Sequence, residues 1–390
     1  MSRSAPATIP VMLAGFAAFL DLYATQPLLP LLARTFHASN FKVSLTVTAP
    51  TVAVALAAPL VGRLADRFSL RAVIVSSAFA LAIMTALAAT STGLGQLIAW
   101  RFAQGLVTPG LFASAIAYIH EEWPSSRVGR ATAAYVSGTV IGGVTGRLLG
   151  GVIAADVNWS SSFVVLGLIG LVVAAALWKW LPLEQGGDTP SANDAVDGGL
   201  RSHLRNPQLL ATYAVGFCML CTQVAMFTYV PFLLAAPPFL LSSAALGSIF
   251  LTYLVGAATT PFAGRGIDAY GHRTVLVFSL ALCATGAMLT LTPALPVIAI
   301  GLSFFAAGVF FAQAASSSHV AHHAVHGRGL AIGIYATCYY IGGSVGGAVP
   351  SLFWSAGGWP ACVAFVIAVE LGMLGIAWNL WPPLQHSRAT

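Results

Sequence analysis

Several stretches of this 390-residue chain run for about 18 residues or more without a charged side chain, the length a helix needs to cross ~30 Å of hydrocarbon. Backbone polar groups must be satisfied internally in lipid, so runs of this length read as membrane-spanning helices. They are continuous and not alternating, which argues against barrel strands. The chain is 58% hydrophobic and only 7% charged, against about 25% charged in an ordinary soluble domain. The expected fold class is therefore an all-α membrane protein.

Twelve spans are expected: 9–32, 43–61, 72–90, 96–120, 131–155, 163–180, 208–235, 244–263, 274–292, 297–321, 330–354 and 361–381. Between the sixth and seventh, residues 181–206 change to Gly, Pro, Ser and acidic side chains, with too little apolar surface to order themselves. This segment reads as a cytoplasmic linker between an N-terminal bundle (1–180) and a C-terminal one (207–390). Arg3 before an apolar run imitates a signal peptide, yet Asp21 interrupts the run and no small-residue cleavage site follows. The first span is read as retained.

The net charge of +6 does not point to nucleic acid, because of where the bases sit. With the N-terminus inside, thirteen of the 17 Lys and Arg fall in inward segments and only Arg34 and Lys42 in outward ones. That asymmetry places both termini in the cytoplasm. The basic face then meets anionic lipid head groups. All five cysteines lie in apolar runs, so they read as packing residues and imply no disulfide framework.

The stretch GRLADRFSLR, Gly62 to Arg71, returns as GRGIDAYGHR, Gly264 to Arg273. Gly62, Arg63, Asp66 and Arg71 recur as Gly264, Arg265, Asp268 and Arg273, each copy set between two apolar runs. A second register repeats Gly129, Ala131, Tyr135, Gly142, Gly143 and Gly146 as Gly329, Ala331, Tyr335, Gly342, Gly343 and Gly346. The duplicated loop resembles the signature of loops 2–3 and 8–9 of the major facilitator superfamily of secondary transporters. The resemblance implies two six-helix bundles related by pseudo-two-fold symmetry, rocking against each other around a midplane site.

Apart from Lys179 at the inner end of the sixth span, four charges fall inside spans: Asp21, Arg101, Arg147 and Glu370. Each is costly at the bilayer centre, at least ~2.5 kcal/mol on insertion scales, so each is a functional candidate by default. Asp21, Arg101 and Arg147 are expected in one layer of the N-terminal half. Desolvation and a nearby guanidinium pull a carboxyl's proton affinity in opposite directions, so small rearrangements can load or release its proton. LDLYATQPLLP, with Asp21, and WRFAQG, with Arg101, resemble motifs of proton-coupled drug antiporters in this superfamily. The resemblance implies proton coupling through Asp21 and Arg101. A static buried pair locking two helices is the competing reading.

GTVIGGVTGRLLGG resembles the fifth-span antiporter motif, except that Arg147 stands where proline is usual. Gly138, Gly142, Gly146 and Gly150 form a smooth strip for helix packing. Arg147 is expected either to pair with Asp21 or to attract an anionic substrate. The duplicated loops imply a gating latch of Gly62, Arg63, Asp66, Arg67, Arg71, Gly264, Asp268 and Arg273. In it Asp66 caps a helix N-terminus of the opposite half. Ser69 replaces the family's glycine in the first copy, whereas Gly271 keeps it in the second.

The spans that line the family's central cavity offer Gln26, Gln104, Gln223, Phe227 and Gln313 as substrate contacts. His319, His322, His323 and His326 share one helix face. They read as an inner-end cluster suited to a helix C-terminus, with no metal site expected, although the spacing also suits a transition metal or a cytoplasmic pH sensor. Glu370 is expected neutral or turned toward protein. The absence of a G-x-x-x-x-G-K-[ST] loop excludes that ATP-driven class, and no catalytic constellation suggests an enzyme.

The sequence thus reads as a secondary active transporter of a bacterial-type inner membrane. Its expected activity is proton-coupled efflux of a small amphipathic drug or metabolite by a monomer without cofactors. Transport of an organic anion, or a non-transporting sensor or scaffold on the same fold, are the alternatives.

Overall fold

The computed structural model describes residues 7–65, 68–183, 205–323 and 328–381, with the main chain alone at 61–65, 321, 328 and 329. The linker expected at 181–206, apart from its ends, lies outside the described residues, as do Asp66, Arg67 and His326. All regular elements among the described residues are helical. In chain order they begin with α1 (Ile9–Leu20), a 3-10 turn (Gln26–Leu28), α2 (Leu29–Thr35), α3 (Asn40–Ala65) and α4 (Leu70–Ala88). Next come α5 (Leu94–Glu122), α6 (Ser125–Asp156), α7 (Trp159–Trp180), α8 (Pro207–Ala235) and α9 (Ser243–Ile249). The last four are α10 (Thr252–Leu289), α11 (Leu295–His323), α12 (Arg328–Ala348) and α13 (Pro350–Leu380).

Among the described residues nine stretches are long and apolar enough to cross a membrane. The first expected span is not among them, because it breaks after the 12 residues of α1, and neither is the eleventh, where the structure has α12. The eighth and ninth run together as Ser243–Leu289, 47 residues or ~70 Å at 1.5 Å per residue, enough for two crossings. Gly271, at φ 82°, turns the chain between them, a conformation that penalises any side chain. The matching turn before α4 is made differently. Ser69 takes an extended conformation and its hydroxyl caps the helix by accepting from the Ala72 N–H.

The chain divides into two compact units, Met1–Pro190 with Pro231–Phe250, and Ser191–Val230 with Leu251–Thr390. In the first unit α6 lies directly on α1. The α-carbons of Gly138, Gly142 and Gly146 face the main-chain oxygens of Met12, Phe16 and Leu20, so close that a Cβ at any of the three would overlap them. Both series advance by four residues, which keeps the two helices in register over three turns. Gly150 is looser, 3.5 Å from the Ala24 oxygen at the position a Cβ would take. The second unit repeats the arrangement, with Gly342 and Gly346 of α12 against the Phe217 and Cys221 oxygens of α8.

Backbone cannot swing away as a side chain can, so the two ends of the strip should respond differently to one added methyl. Gly142→Ala is expected to destabilise the protein by about 1–3 kcal/mol. Gly150→Ala should leave the thermal unfolding midpoint in detergent unchanged, and comparing the two midpoints checks this.

Candidate functional site

The break in the first span is where the buried charges gather. Pro27 lacks an N–H and its ring crowds the carbonyl four residues back, so the α-helical ladder cannot continue through it. The chain from Asp21 to Leu28 closes tighter turns instead. The Ala24 N–H bonds the Asp21 oxygen at 3.1 Å, Gln26 the Tyr23 oxygen at 3.1 Å, and Leu28 the Thr25 oxygen at 2.9 Å.

Arg101 of α5, wholly buried, binds the carbonyl groups that this break exposes. One terminal nitrogen donates to the Asp21 main-chain oxygen at 2.8 Å, and the other to that of Leu22 at 2.6 Å. Its Nε donates to the Thr46 main-chain oxygen of α3 at 3.0 Å. A fourth bond runs to the Gln104 side-chain oxygen, and the Gln104 amide donates to the Thr85 hydroxyl of α4 at 2.8 Å. One guanidinium therefore joins the broken span to α3, and through Gln104 to α4.

The Asp21 carboxyl is 2% exposed and its Oδ1 has no hydrogen-bond partner. Thr85 stands beside it. Arg101 is near enough to act on the carboxyl electrostatically, yet three of its hydrogen bonds go to the main chain and the fourth to Gln104. A lone buried carboxyl oxygen is costly to leave unsatisfied, more so than the Thr25 hydroxyl, which is also without a partner in the same break.

Arg147 of α6 holds the other side of the same break. Its Nε donates to the Gln26 side-chain oxygen at 2.8 Å, and a terminal nitrogen to the Gly143 main-chain oxygen at 2.7 Å. The Tyr23 and Phe250 rings lie 5.1 and 4.9 Å from the guanidinium carbon, within cation–π range. Arg147 thus meets Gln26 of the first span. Gln26 and Gln104, both chosen as substrate contacts, each belong to one arginine's anchorage.

In the second unit Gln223 and Phe227 come together. The Gln223 amide donates to the Tyr253 hydroxyl at 3.2 Å, and the Phe227 ring lies 4.5 Å from that of Tyr253. Phe305 and Phe310 extend the aromatic group at 6.1 and 6.3 Å. Gln313 stands with Ser316 beside the Tyr335 hydroxyl. Tyr23, Phe250 and Tyr253 were not singled out from sequence, since aromatics occur throughout these helices and nothing local distinguishes them.

Of the duplicated loops, Asp66 and Arg67 lie outside the described residues and the side chain of Arg63 is not described; Gly62 is seen as main chain only. Arg71 bonds the Leu181 oxygen at 2.6 Å and the Trp178 oxygen at 2.5 Å, capping the end of α7. Arg273 stacks on Trp378 near the end of α13 at 3.9 Å. Arg71 thus holds the end of α7, and Arg273 lies against the end of α13. Asp268 is exposed, and Gly264 has open space around it.

His319 stacks between His323 and Trp381, with ring centroids 3.9 and 4.1 Å away, and His272 joins them at 5.5 Å. His272 was missed because it lies far along the chain, just beyond the Gly271 turn. No group of three or more His, Cys, Asp or Glu able to hold a metal ion occurs among the described residues.

With this geometry in place, the comparisons are specific. The profile of the Major Facilitator Superfamily matches residues 11–250 and again 232–389. The chain is 31% identical over 367 residues to the MFS-type transporter YybF of Bacillus subtilis (strain 168), covering 93% of this chain and 91% of that one. It is 31% identical over 360 residues to the inner membrane transport protein YnfM of Escherichia coli (strain K12), covering 92% and 86%. The crystal structure of the nucleoside transporter NupG superposes with a TM-score of 0.78 at 13% identity, covering 96% of this chain and 100% of that one, a likeness of fold alone. These relatives are transporters and not enzymes, and this chain belongs to the major facilitator superfamily of multi-pass membrane transporters.

Proposed function

We propose that this transporter couples proton movement to the efflux of a small amphipathic organic compound, with Asp21 as the proton carrier. The observation that carries the proposal is the buried Asp21 carboxyl, with an unpartnered oxygen at a helix break whose carbonyls are already satisfied by Arg101. A carboxylate locked in a bidentate pair with arginine would resist protonation. Here the guanidinium supplies a nearby positive charge while its hydrogen bonds hold the backbone, so the acid keeps the freedom to load and release a proton.

In the proposed cycle the two bundles, 1–180 and 207–390 joined by the linker 181–206, rock about a midplane site, with both termini in the cytoplasm. The inner-membrane name of YnfM supports a bacterial inner-membrane location. Protons and anionic lipid are its partners, and the protein works as a monomer. The aromatic group of Phe227, Tyr253, Phe305 and Phe310 with the Gln223 amide supports an amphipathic substrate, since such sites are mostly apolar with a few placed polar groups. Transport of an organic anion is a second reading, and it rests on the buried charge of Arg147. A non-transporting sensor on this fold predicts no flux at all.

In proteoliposomes Asp21→Asn is expected to abolish flux of a fluorescent amphipathic cation driven by a pH gradient, while counterflow without a gradient persists. Full retention of gradient-driven flux removes Asp21 as the carrier. Arg101→Lys keeps the charge but cannot reach four acceptors from one compact ammonium. Orphaned carbonyls cost about 1–3 kcal/mol each, so this variant should lose thermal stability as well as transport. A variant that retains both shows that charge alone matters at this position.

A further inference from the structure

Glu370 is a buried acid that the proposed cycle does not use. It lies on the one face of α13 that is turned inward, in the series Cys362, Val363, Val366, Glu370, Met373, Ala377 and Trp381, spaced at helical intervals. Leu371 is 62% exposed and Gly372, about 200° round the helix from Glu370, is exposed as well, so the opposite side of the helix faces outward. Glu370 itself is 3% exposed, and both carboxyl oxygens are buried with no hydrogen-bond partner.

Among the described residues no counter-charge acts on it. Around the inner half of the seam, the buried cluster that includes Met373, Ala377 and Trp381 contains Ala211, Val215 and Met219 of α8, and Val275, Leu276 and Leu280 of α10. Ala312 and Ala315 of α11 complete it. The titratable group facing Glu370 from α10 is the Cys283 thiol, whose hydrogen bond runs to the Phe305 oxygen at 3.6 Å. His319 stacks on Trp381, three turns further along α13. An acid kept only for packing gains nothing here over Leu or Met of similar size, because its oxygens are desolvated without compensation.

We propose that Glu370 is a second proton-binding site of this transporter, at the centre of the α13 seam and separate from Asp21. The site takes a proton and no other ligand, since it offers one carboxyl group in an apolar wall. It releases that proton only when the seam opens to water.

Two measurements on the full-length protein test this, and neither requires a transport substrate. Dicyclohexylcarbodiimide partitions into bilayers and reacts with the protonated acid. The carboxyl proton passes to a carbodiimide nitrogen, the carboxyl oxygen adds to the central carbon, and the adduct rearranges to a stable N-acylurea with no atom lost. Peptide mass spectrometry is expected to find the adduct on Glu370 at acidic and neutral pH and to show it falling away as pH rises. The same labelling should occur in Asp21→Asn, which separates this proposal from the role given to Asp21. A proton inventory by pH titration should show Glu370→Gln binding one proton fewer than the wild type. Equal inventories in the two proteins overturn the proposal. So does labelling of Glu370 that does not change with pH, which marks a fixed neutral acid.

Discussion

Two guanidinium groups hold open a helix that Pro27 has broken, and the chemistry of the first unit depends on that. The broken turn leaves main-chain oxygens at Asp21 and Leu22, both residues buried. Unpaired oxygens there cost about 1–3 kcal/mol each. Arg101 donates to both, beside the Ala24 N–H that the Asp21 oxygen already accepts, and reaches α3 with its Nε and Gln104 with a further bond. Arg147 anchors the far side of the break through Gln26 and the rings of Tyr23 and Phe250. The arginines hold the main chain and Gln26, and the Asp21 carboxyl keeps a buried oxygen without a hydrogen-bond partner.

Close approach of backbones makes this possible. Because Gly138, Gly142 and Gly146 have no Cβ, α1 lies against α6 carbonyl to α-carbon, and Arg147 on α6 is carried up to the break. The second unit repeats the contact with Gly342 and Gly346 against α8, but its α8 has no matching break after Cys221. The repeat thus preserves packing in both units and reserves the arginine-held break for the first. The duplicated loop shows the same divergence: Ser69 caps where Gly271 turns, and Arg71 bonds carbonyls where Arg273 stacks on an indole.

Much of this is legible in the sequence, for physical reasons. Apolar length reveals helices because lipid leaves the backbone few alternatives, and a four-residue glycine spacing reveals a packing face because it matches one turn. Intramembrane charges stand out by cost alone, so Asp21, Arg101 and Arg147 could be chosen without coordinates. Their partners could not. Arg101 binds main-chain oxygens, which every residue has, so no side-chain pattern betrays them. Phe250 meets Arg147 across about a hundred residues of chain, and His272 joins the histidines only because Gly271 reverses the path. The Asp66 and Arg67 part of the latch lies outside the described residues.

The central claim is that Asp21 changes protonation while Arg101 holds the backbone. Infrared difference spectroscopy of the protein in lipid, titrated with pH beside Asp21→Asn, tests it most directly. The account predicts a carboxylic-acid carbonyl band in the wild type that grows on acidification, shifts in deuterated water and is missing from the variant. Identical titrations in the two proteins contradict it.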